Sequence, residues 1–357
     1  MFPFSNGGDY LIIDRTKKLI KEAYPSVEFD EYIGNDAVSE EVIDRINTAD
    51  VIVTGGGGAQ FSEQYVKNSF LYKNIEKIKV PIHFTGTGLY APDGDWDTLS
   101  SIKYSDEVIS YFKKILEHGG QLAARDWSVA SVMRTNHISG VHMTGCPAWY
   151  DIGTLVEKKN AKSMADINTV AFSNHGVTKS SNNHAMQVSQ MKELVEVVRG
   201  RFNPQKILLT FNDGYNTKFS YNYNLMLREW AESQGIDCVD LSCDASKFSV
   251  LNNVDFHIGF RVHTHTYCVS KGIPSLLIEE DVRGYGFNEA LGLPHFSAYE
   301  KYVNNESLNA NINLCTQVDM MLEQICNENR IVYDEVLNTI NRFYRTNMNK
   351  WLDRLAL

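Results

Sequence analysis

The stretch IGFRVHTHTYCVS, Ile258 to Ser270, brings an arginine and two histidines to the end of an apolar run. Arg261, His263 and His265 stand at alternate positions, so a continued strand would put all three on one face. If a helix begins near Val262 instead, His263 falls in its first turn. Exposed amides there, together with the arginine, make a positive pocket for an anion. Imidazole titrates near neutral pH, and a histidine beside an arginine suits proton transfer on such an anion. A metal reading of His263 and His265 needs a third ligand, and none follows at a suitable spacing. A satisfied core histidine accounts for one of the two, and His265 is the better candidate for it.

Other polar clusters also follow apolar runs. ARDWS sets Arg125 at a strand end, with Asp126 and Ser128 entering a helix. Capping is the simplest role for Asp126 or Ser128, and an ion pair with Asp126 is the simplest for Arg125. The sharper reading sets Arg125 at the mouth of a ligand cleft. NGGD, Asn6 to Asp9, opens a helix, either as a plain cap or with free amides that hold an anion. The glycines after VIVT, Gly56 and Gly57 among them, fit neither a dinucleotide fingerprint nor a Walker loop. They allow a backbone to approach a ligand closely, or make a tight turn. Gly86 and Gly88 repeat the pattern after the next strand, and Glu279, Glu280, Asp281 and Arg283 follow the last one.

These residues need elements to hold them. Short apolar runs alternate with helical patterns along the whole chain, the signature of parallel α/β sheets. The first half predicts strands at Val27–Tyr32, Val51–Thr54, Ile82–Thr85, Gln121–Ala124 and Val141–Thr144, with helices at Tyr104–His118 and Ser128–Thr135. An earlier strand, before Asn6, is either very short or missing. Charged EKKNAKSMADIN, Glu157 to Asn168, reads as a linker. The second half predicts strands at Thr169–Ser173, Lys206–Thr210, Asp237–Leu241, Val254–Gly259 and Ser275–Ile278. Helices fall at His184–Arg199, Tyr221–Gln234, Thr264–Lys271 and Val318–Glu328, followed by a helical tail from Val332. The expected architecture is two Rossmann-like, doubly wound domains facing across a cleft, residues 1–160 and 166–331. The terminal helical segment 332–357 returns to the first domain. Ligands of such sheets bind outside the carboxyl ends of the strands.

The chain has 357 residues, 34 of them basic against 44 acidic, for a formal charge of −10. With no clustered basic face, this argues against a nucleic-acid partner but not against a small anion, which needs two or three local cations. No apolar run approaches a membrane span, and MFPFSNGGDY lacks the features of a signal peptide. Six scattered cysteines without a CxxC pair read as reduced thiols. A cytoplasmic protein is expected, with the inner face of the membrane as a place it can work.

Taken in order, these motifs resemble the polysaccharide pyruvyl transferase family. They are the Asn6, Gly8, Asp9 start, the glycine run, Gly86 and Gly88, then Arg125, Asp126 and Ser128. Arg261 and His263 follow, with Gly272 and Pro274, and a close of Gly286, Phe287, Leu291, Gly292 and Leu293. The resemblance implies a fold similar to two-domain GT-B glycosyltransferases. It also implies transfer of an enolpyruvyl-derived group from phosphoenolpyruvate to a sugar, as a cyclic pyruvate ketal. Two departures stand out. Family members usually carry a lysine where this chain has Arg283, and a small residue where it has Thr264 and then His265. Guanidinium is a planar fork and ammonium a point charge, so the first departure alters geometry while keeping charge.

On this resemblance the donor contacts are Arg125, Arg261, Arg283 and His265, with Arg125 and Arg261 reaching into the cleft from opposite domains. His263 carries protons and Asp126 orients it or acts as a second acid/base group. Asn6, Gly8, Asp9, Gly56, Gly57, Gly86 and Gly88 line the acceptor side. No metal or cofactor is called for, and the partners are phosphoenolpyruvate and a sugar, free or lipid-linked, of a surface or exopolysaccharide precursor. Two other functions stay open: a GT-B glycosyltransferase using a nucleotide sugar, and a catalytically inactive glycan- or anion-binding relative. Glu280 and Glu289 miss by one the eight-residue spacing that such glycosyltransferases often use.

Overall fold

A computed structural model describes residues 6–32, 38–55, 60–157, 160–176, 184–215, 221–300, 309–328, 330–355 and 357. It is α/β with parallel strands throughout and groups into two units. One comprises residues up to Leu11, Asp151–Glu280 and Leu291–Thr339. The other comprises Ile12–Tyr150, Asp281–Ala290 and Ile340–Leu357.

The second of these units holds four three-residue strands, β1 (Ile52–Thr54), β2 (Ile82–Phe84), β3 (Leu122–Ala124) and β4 (Val141–Met143). β1 pairs with β2, and β3 with β4, all parallel. Gln121 stitches β2 to β3: its carbonyl accepts from the Phe84 N–H at 2.8 Å and its N–H donates to the Ile82 carbonyl at 3.1 Å. The helix Asp106–Glu117 shows why this half folds. Two acids open it, and Val108, Tyr111, Phe112 and Ile115 recur at helical spacing on its buried face. Phe112 meets Phe61 edge-on at 5.3 Å, and Phe61 lies 5.2 Å from Phe84, so helix and sheet share one aromatic core. The helical tail returns to this unit. The Trp351 indole donates to the Phe84 carbonyl at 3.0 Å, and the Gln121 amide donates to the Trp351 carbonyl at 3.1 Å.

The expected strand at Val27–Tyr32 is absent; the stretch is irregular and mostly exposed. Its acids explain this. Glu31 pairs with Lys17 at 2.6 Å and Asp30 with Arg45 at 2.7 Å, while the Lys17 ammonium lies 5.7 Å over the Phe29 ring. Solvated ion pairs hold the segment where no strand edge takes its backbone. The expected strand before Asn6 lies outside the described residues.

The other unit carries one five-stranded parallel sheet in the order β7-β6-β5-β8-β9. Its strands are β5 (Thr169–Ser173), β6 (Lys206–Phe211), β7 (Asp237–Asp240), β8 (Phe256–Gly259) and β9 (Ser275–Leu277). β8 and β9 are buried along their whole lengths, and β5 and β6 beyond their first residue, as a sheet covered on both faces requires. The expected linker is not loose. Ala161, Met164 and Ile167 are buried, and the Ala161 N–H donates to Asp334 Oδ1 at 2.8 Å. The strand order reverses between β5 and β8, and the crevice outside their carboxyl ends is where open α/β sheets bind ligands.

Candidate functional site

Arg261 leaves β8 at this switch point. Gly259 makes the turn possible: its φ is +154°, and a Cβ there would come within 2.4 Å of the Ser173 carbonyl oxygen. Ser173, at the end of β5, accepts the Arg261 N–H on its Oγ at 3.1 Å, tying the two strand ends together. The Arg261 guanidinium meets Asp213 at 2.6 Å through Nη2. A helix, Val262–Ser270, starts immediately afterwards, with Arg261 at its N-cap position and the Arg261 side chain making no capping hydrogen bond. Its positive end therefore lies beside an arginine, a setting that favours an anion.

Because this segment is helical, His263 and His265 do not share a face; two residues span about 200° of helix. His263 is packed against the start of the Gly7–Ala23 helix, where a Cβ on Gly8 would fall 1.9 Å from its Nδ1. His265 turns into the core and is fully buried, its Nδ1 2.7 Å from Ser275 Oγ. Burial pushes its imidazole down to about 3. This corrects the placement of His265 among donor contacts: the structure makes it a core histidine. Ser275 also meets His257 Nδ1 at 2.7 Å, and His257 Nε2 meets Ser173 Oγ at 3.0 Å, so a buried hydroxyl–imidazole chain runs beneath Arg261. Burial, and then the neighbouring His265, hold His257 well below its ordinary value. Among the described residues no group of three or more His, Cys, Asp or Glu side chains is arranged to hold a metal ion.

The Asn6 start closes against the same strand ends. Asn6 Oδ1 accepts the Gly8 N–H at 2.9 Å, and the Asp9 N–H reaches the Asn6 carbonyl at 3.1 Å. The Gly7 N–H donates to the Asn212 carbonyl at 2.7 Å, and a Cβ on Gly7 would strike the Leu241 carbonyl oxygen at 1.8 Å. Those amides are all taken, so the anion-holding reading of this helix start gives way to capping and close approach. Asn212, just beyond β6, accepts from the Thr264 hydroxyl at 2.8 Å, and its buried Nδ2 has no partner among the described residues.

The sequence reading missed His175. It follows β5, is fully buried, and stacks on Phe260 with ring centroids 3.4 Å apart. Its Nδ1 lies 2.9 Å from Glu280 Oε1, while Glu280 Oε2 accepts the Gly176 N–H at 2.7 Å. The partners are 105 residues apart in the chain, a separation that no local pattern reveals.

Arg125, Asp126 and Arg283 belong to the other unit. Asp126 caps the helix Trp127–Thr135 by accepting the Val129 N–H on Oδ1 at 3.0 Å, and its Oδ2 takes the Arg125 Nε–H at 3.1 Å. The simplest readings of both residues are therefore realised, with the pair almost fully buried. Ser128 does not cap; its buried Oγ has no partner among the described residues, and neither has Arg125 Nη2. The Arg125 guanidinium lies 5.0 Å over Phe287, and a Cβ on Gly286 would come 2.5 Å from the Asp126 carboxyl carbon. Arg283 is engaged by Asp281 through Nε and Nη2 at 2.9 and 2.5 Å. Burial raises the Asp281 carboxyl, but Arg283 outweighs it and the net shift is downward. Gly86 adopts φ +53° against Pro147, and the buried Gly88 carbonyl accepts the Phe61 N–H at 2.9 Å. Gly56 and Gly57 lie outside the described residues.

The sequence model of the polysaccharide pyruvyl transferase family matches residues 6–232. Arg261 and His263 lie beyond that stretch. No curated protein matches the chain in sequence. Solved structures similar to it include Anabaena HepE in complex with UDP and glucose, at 10% identity and TM-score 0.49 over 98% of this chain and 95% of that one. Methanocaldococcus jannaschii UDP-GlcNAc 2-epimerase, with UDP-GlcNAc and UDP, gives 9% and 0.49 over 92% and 86%. Staphylococcus aureus MnaA with UDP gives 14% and 0.46 over 93% and 77%.

Proposed function

This chain belongs to the polysaccharide pyruvyl transferase family, and on that footing we propose that it transfers the enolpyruvyl-derived group of phosphoenolpyruvate to a sugar as a pyruvate ketal, releasing phosphate. The observation that supports this best is the helix start at Val262, with Arg261 at its N-cap and His263 in its first turn, at the switch point of the five-stranded sheet. Phosphoenolpyruvate presents a phosphate and a carboxylate, and a guanidinium with a helix start suits both. Asp213 leaves Arg261 paired through a single carboxylate oxygen, a partner that an incoming anion can replace. The buried Nδ2 of Asn212 offers a neutral donor nearby.

The chemistry balances without a redox partner. One acceptor hydroxyl oxygen bonds to C2 while the methylene carbon takes a proton, giving a tetrahedral phosphoketal. The C2–O bond to phosphate then breaks with its electron pair, and a second hydroxyl oxygen bonds to C2. Of the two hydroxyl protons, one is balanced by the new methyl group and one by the departing phosphate. His263 delivers the proton to the methylene carbon. In the other unit, Arg125 is proposed to serve an anionic group through Nη2. Arg283 is left out of the donor set because its guanidinium is committed to Asp281. The acceptor is a sugar of a surface polysaccharide precursor. No helix among the described residues is long and apolar enough to cross a membrane.

Incubation with phosphoenolpyruvate and a panel of glycosides, followed by phosphate release and product mass, tests the proposal. The expected result is phosphate release that depends on an acceptor, with the mass of a cyclic pyruvate ketal. Melting temperatures raised by nucleotide sugars and unmoved by phosphoenolpyruvate, with no phosphate released, would favour the glycosyltransferase reading instead.

A further inference from the structure

We infer that His175, held by Glu280, is a second proton-carrying group of this site: its Nε2 takes the proton of an acceptor hydroxyl as that oxygen attacks C2. The inference rests on the pyruvyl-transfer reading above. It adds a residue that lies within none of the motifs that carry the family resemblance.

His175 is fixed from several sides. Its ring stacks on Phe260, and its backbone N–H donates to the Tyr223 hydroxyl at 3.1 Å. Glu280 is fixed as firmly. Oε2 accepts the Gly176 N–H at 2.7 Å, and Oε1 accepts the Tyr299 hydroxyl at 3.2 Å besides facing His175 Nδ1. A carboxylate accepts and does not donate, so Nδ1 carries a proton toward Glu280, and in the neutral ring Nε2 then holds the lone pair. That Nε2 is buried and has no partner among the described residues.

Comparison with the neighbouring histidines sharpens the point. His257 meets a hydroxyl at each ring nitrogen, which is how a structural histidine satisfies itself. His265 shares the unpartnered Nε2 but faces only the Ser275 hydroxyl, and burial holds it neutral. Of these three, His175 has the carboxylate that stabilises the imidazolium formed when a base takes a proton. Its place is also right. Gly176 follows it, and a Cβ there would stand 3.0 Å from both Arg261 Nη1 and Glu280 Oε2. A bare glycine thus separates the guanidinium proposed to hold the donor from the carboxylate that orients the base.

The proton account closes. The first hydroxyl proton moves to His175 Nε2 as the oxygen–C2 bond forms and passes to the phosphate as the C2–O bond to it breaks, and the second hydroxyl proton returns to His263, which gave one to the methylene carbon. His175 ends each cycle neutral.

The experiment uses the full chain in two stages. Calorimetry with phosphoenolpyruvate, and phosphate release with the glycoside panel, come first on the unaltered protein; failure there removes the pyruvyl-transfer reading itself, and this inference with it. Given turnover, His175→Ala should lower kcat by about 10²–10⁴-fold, bind phosphoenolpyruvate with unchanged affinity, and recover part of its rate when imidazole is added. Glu280→Gln should lower kcat while leaving the affinity for phosphoenolpyruvate unchanged, because the amide does not stabilise the imidazolium formed when His175 takes the proton. A folded His175→Ala that turns over within about threefold of the parent protein would overturn the inference. If that variant does not fold, Glu280→Gln decides alone, and an unmoved rate would overturn it.

Discussion

Replacing each of the two histidines of the Val262–Ser270 helix should break the protein in a different way. His265 is fully buried, and its ring is one of two imidazole partners of Ser275 Oγ. Truncation to alanine empties core volume, which costs about 2–5 kcal/mol in comparable large-to-small changes. Ser275 keeps His257, so the lost hydrogen bond adds only about 1 kcal/mol. For a unit of this size each kcal/mol lowers the melting temperature by about 2–4 °C, so His265→Ala should melt on the order of 10 °C early. Its activity per folded molecule should hold. His263 packs against Gly8 at the helix start with a less completely buried ring, so His263→Ala should melt less early than His265→Ala. The His263 variant should keep its affinity for phosphoenolpyruvate and lose about 10²–10⁴-fold in turnover. Scanning calorimetry with acceptor-dependent phosphate release separates the two. A normally stable but inactive His265→Ala would refute the division of roles. Equal losses in both variants, abolished further by chelator, would point to a metal held by the pair.

Gly259→Ala should destabilise by at least about 3 kcal/mol in urea unfolding, since its positive φ and the Ser173 backbone both oppose a side chain; a midpoint unchanged from the parent would show that the turn is not strained. Stability should fall on acidification. His257 and His265 are held neutral by burial, so below an ordinary pKa near 6.5 the unfolded chain takes up protons the folded chain refuses. At pH 5 His265 should cost about 2 kcal/mol and His257 should add to it, read as a lower urea midpoint than at pH 7, and the loss should continue towards the folded value of His265. Asp126→Ala should cost about 3–5 kcal/mol, because it leaves Arg125 buried without its carboxylate as well as removing a helix cap. Asp126→Asn, which keeps the cap, should cost less.

The strands legible in the sequence are those where burial dictates composition. Thr169–Ser173 and Lys206–Phe211 are apolar runs because both faces of a central parallel strand are covered. Val27–Tyr32 misled because its alternation of apolar and acidic residues satisfies a strand pattern, while nothing in the sequence shows that Lys17 and Arg45 would claim its acids. At the site, Arg261 and His263 were legible because they interrupt such a run. The fate of His265 hinged on whether helix or strand followed Arg261, and period alone does not settle so short a segment. Arg283 reads as a donor contact in the sequence, while in the structure Asp281, two residues before it, holds its guanidinium. His175 was silent: SNH after β5 reads as the tail of a strand, and what gives it meaning is Glu280, brought beside it only by the sheet order.

The most direct test of the central claim is calorimetric titration of phosphoenolpyruvate into the parent protein and into Arg261→Ala. The account predicts saturable binding to the parent. It predicts a loss of about 2–5 kcal/mol in the variant, or roughly 30-fold to several thousand-fold in Kd, because the guanidinium is a partner to the ligand's charge. Equal affinity in the two proteins would contradict the account and take Arg261 out of the donor site.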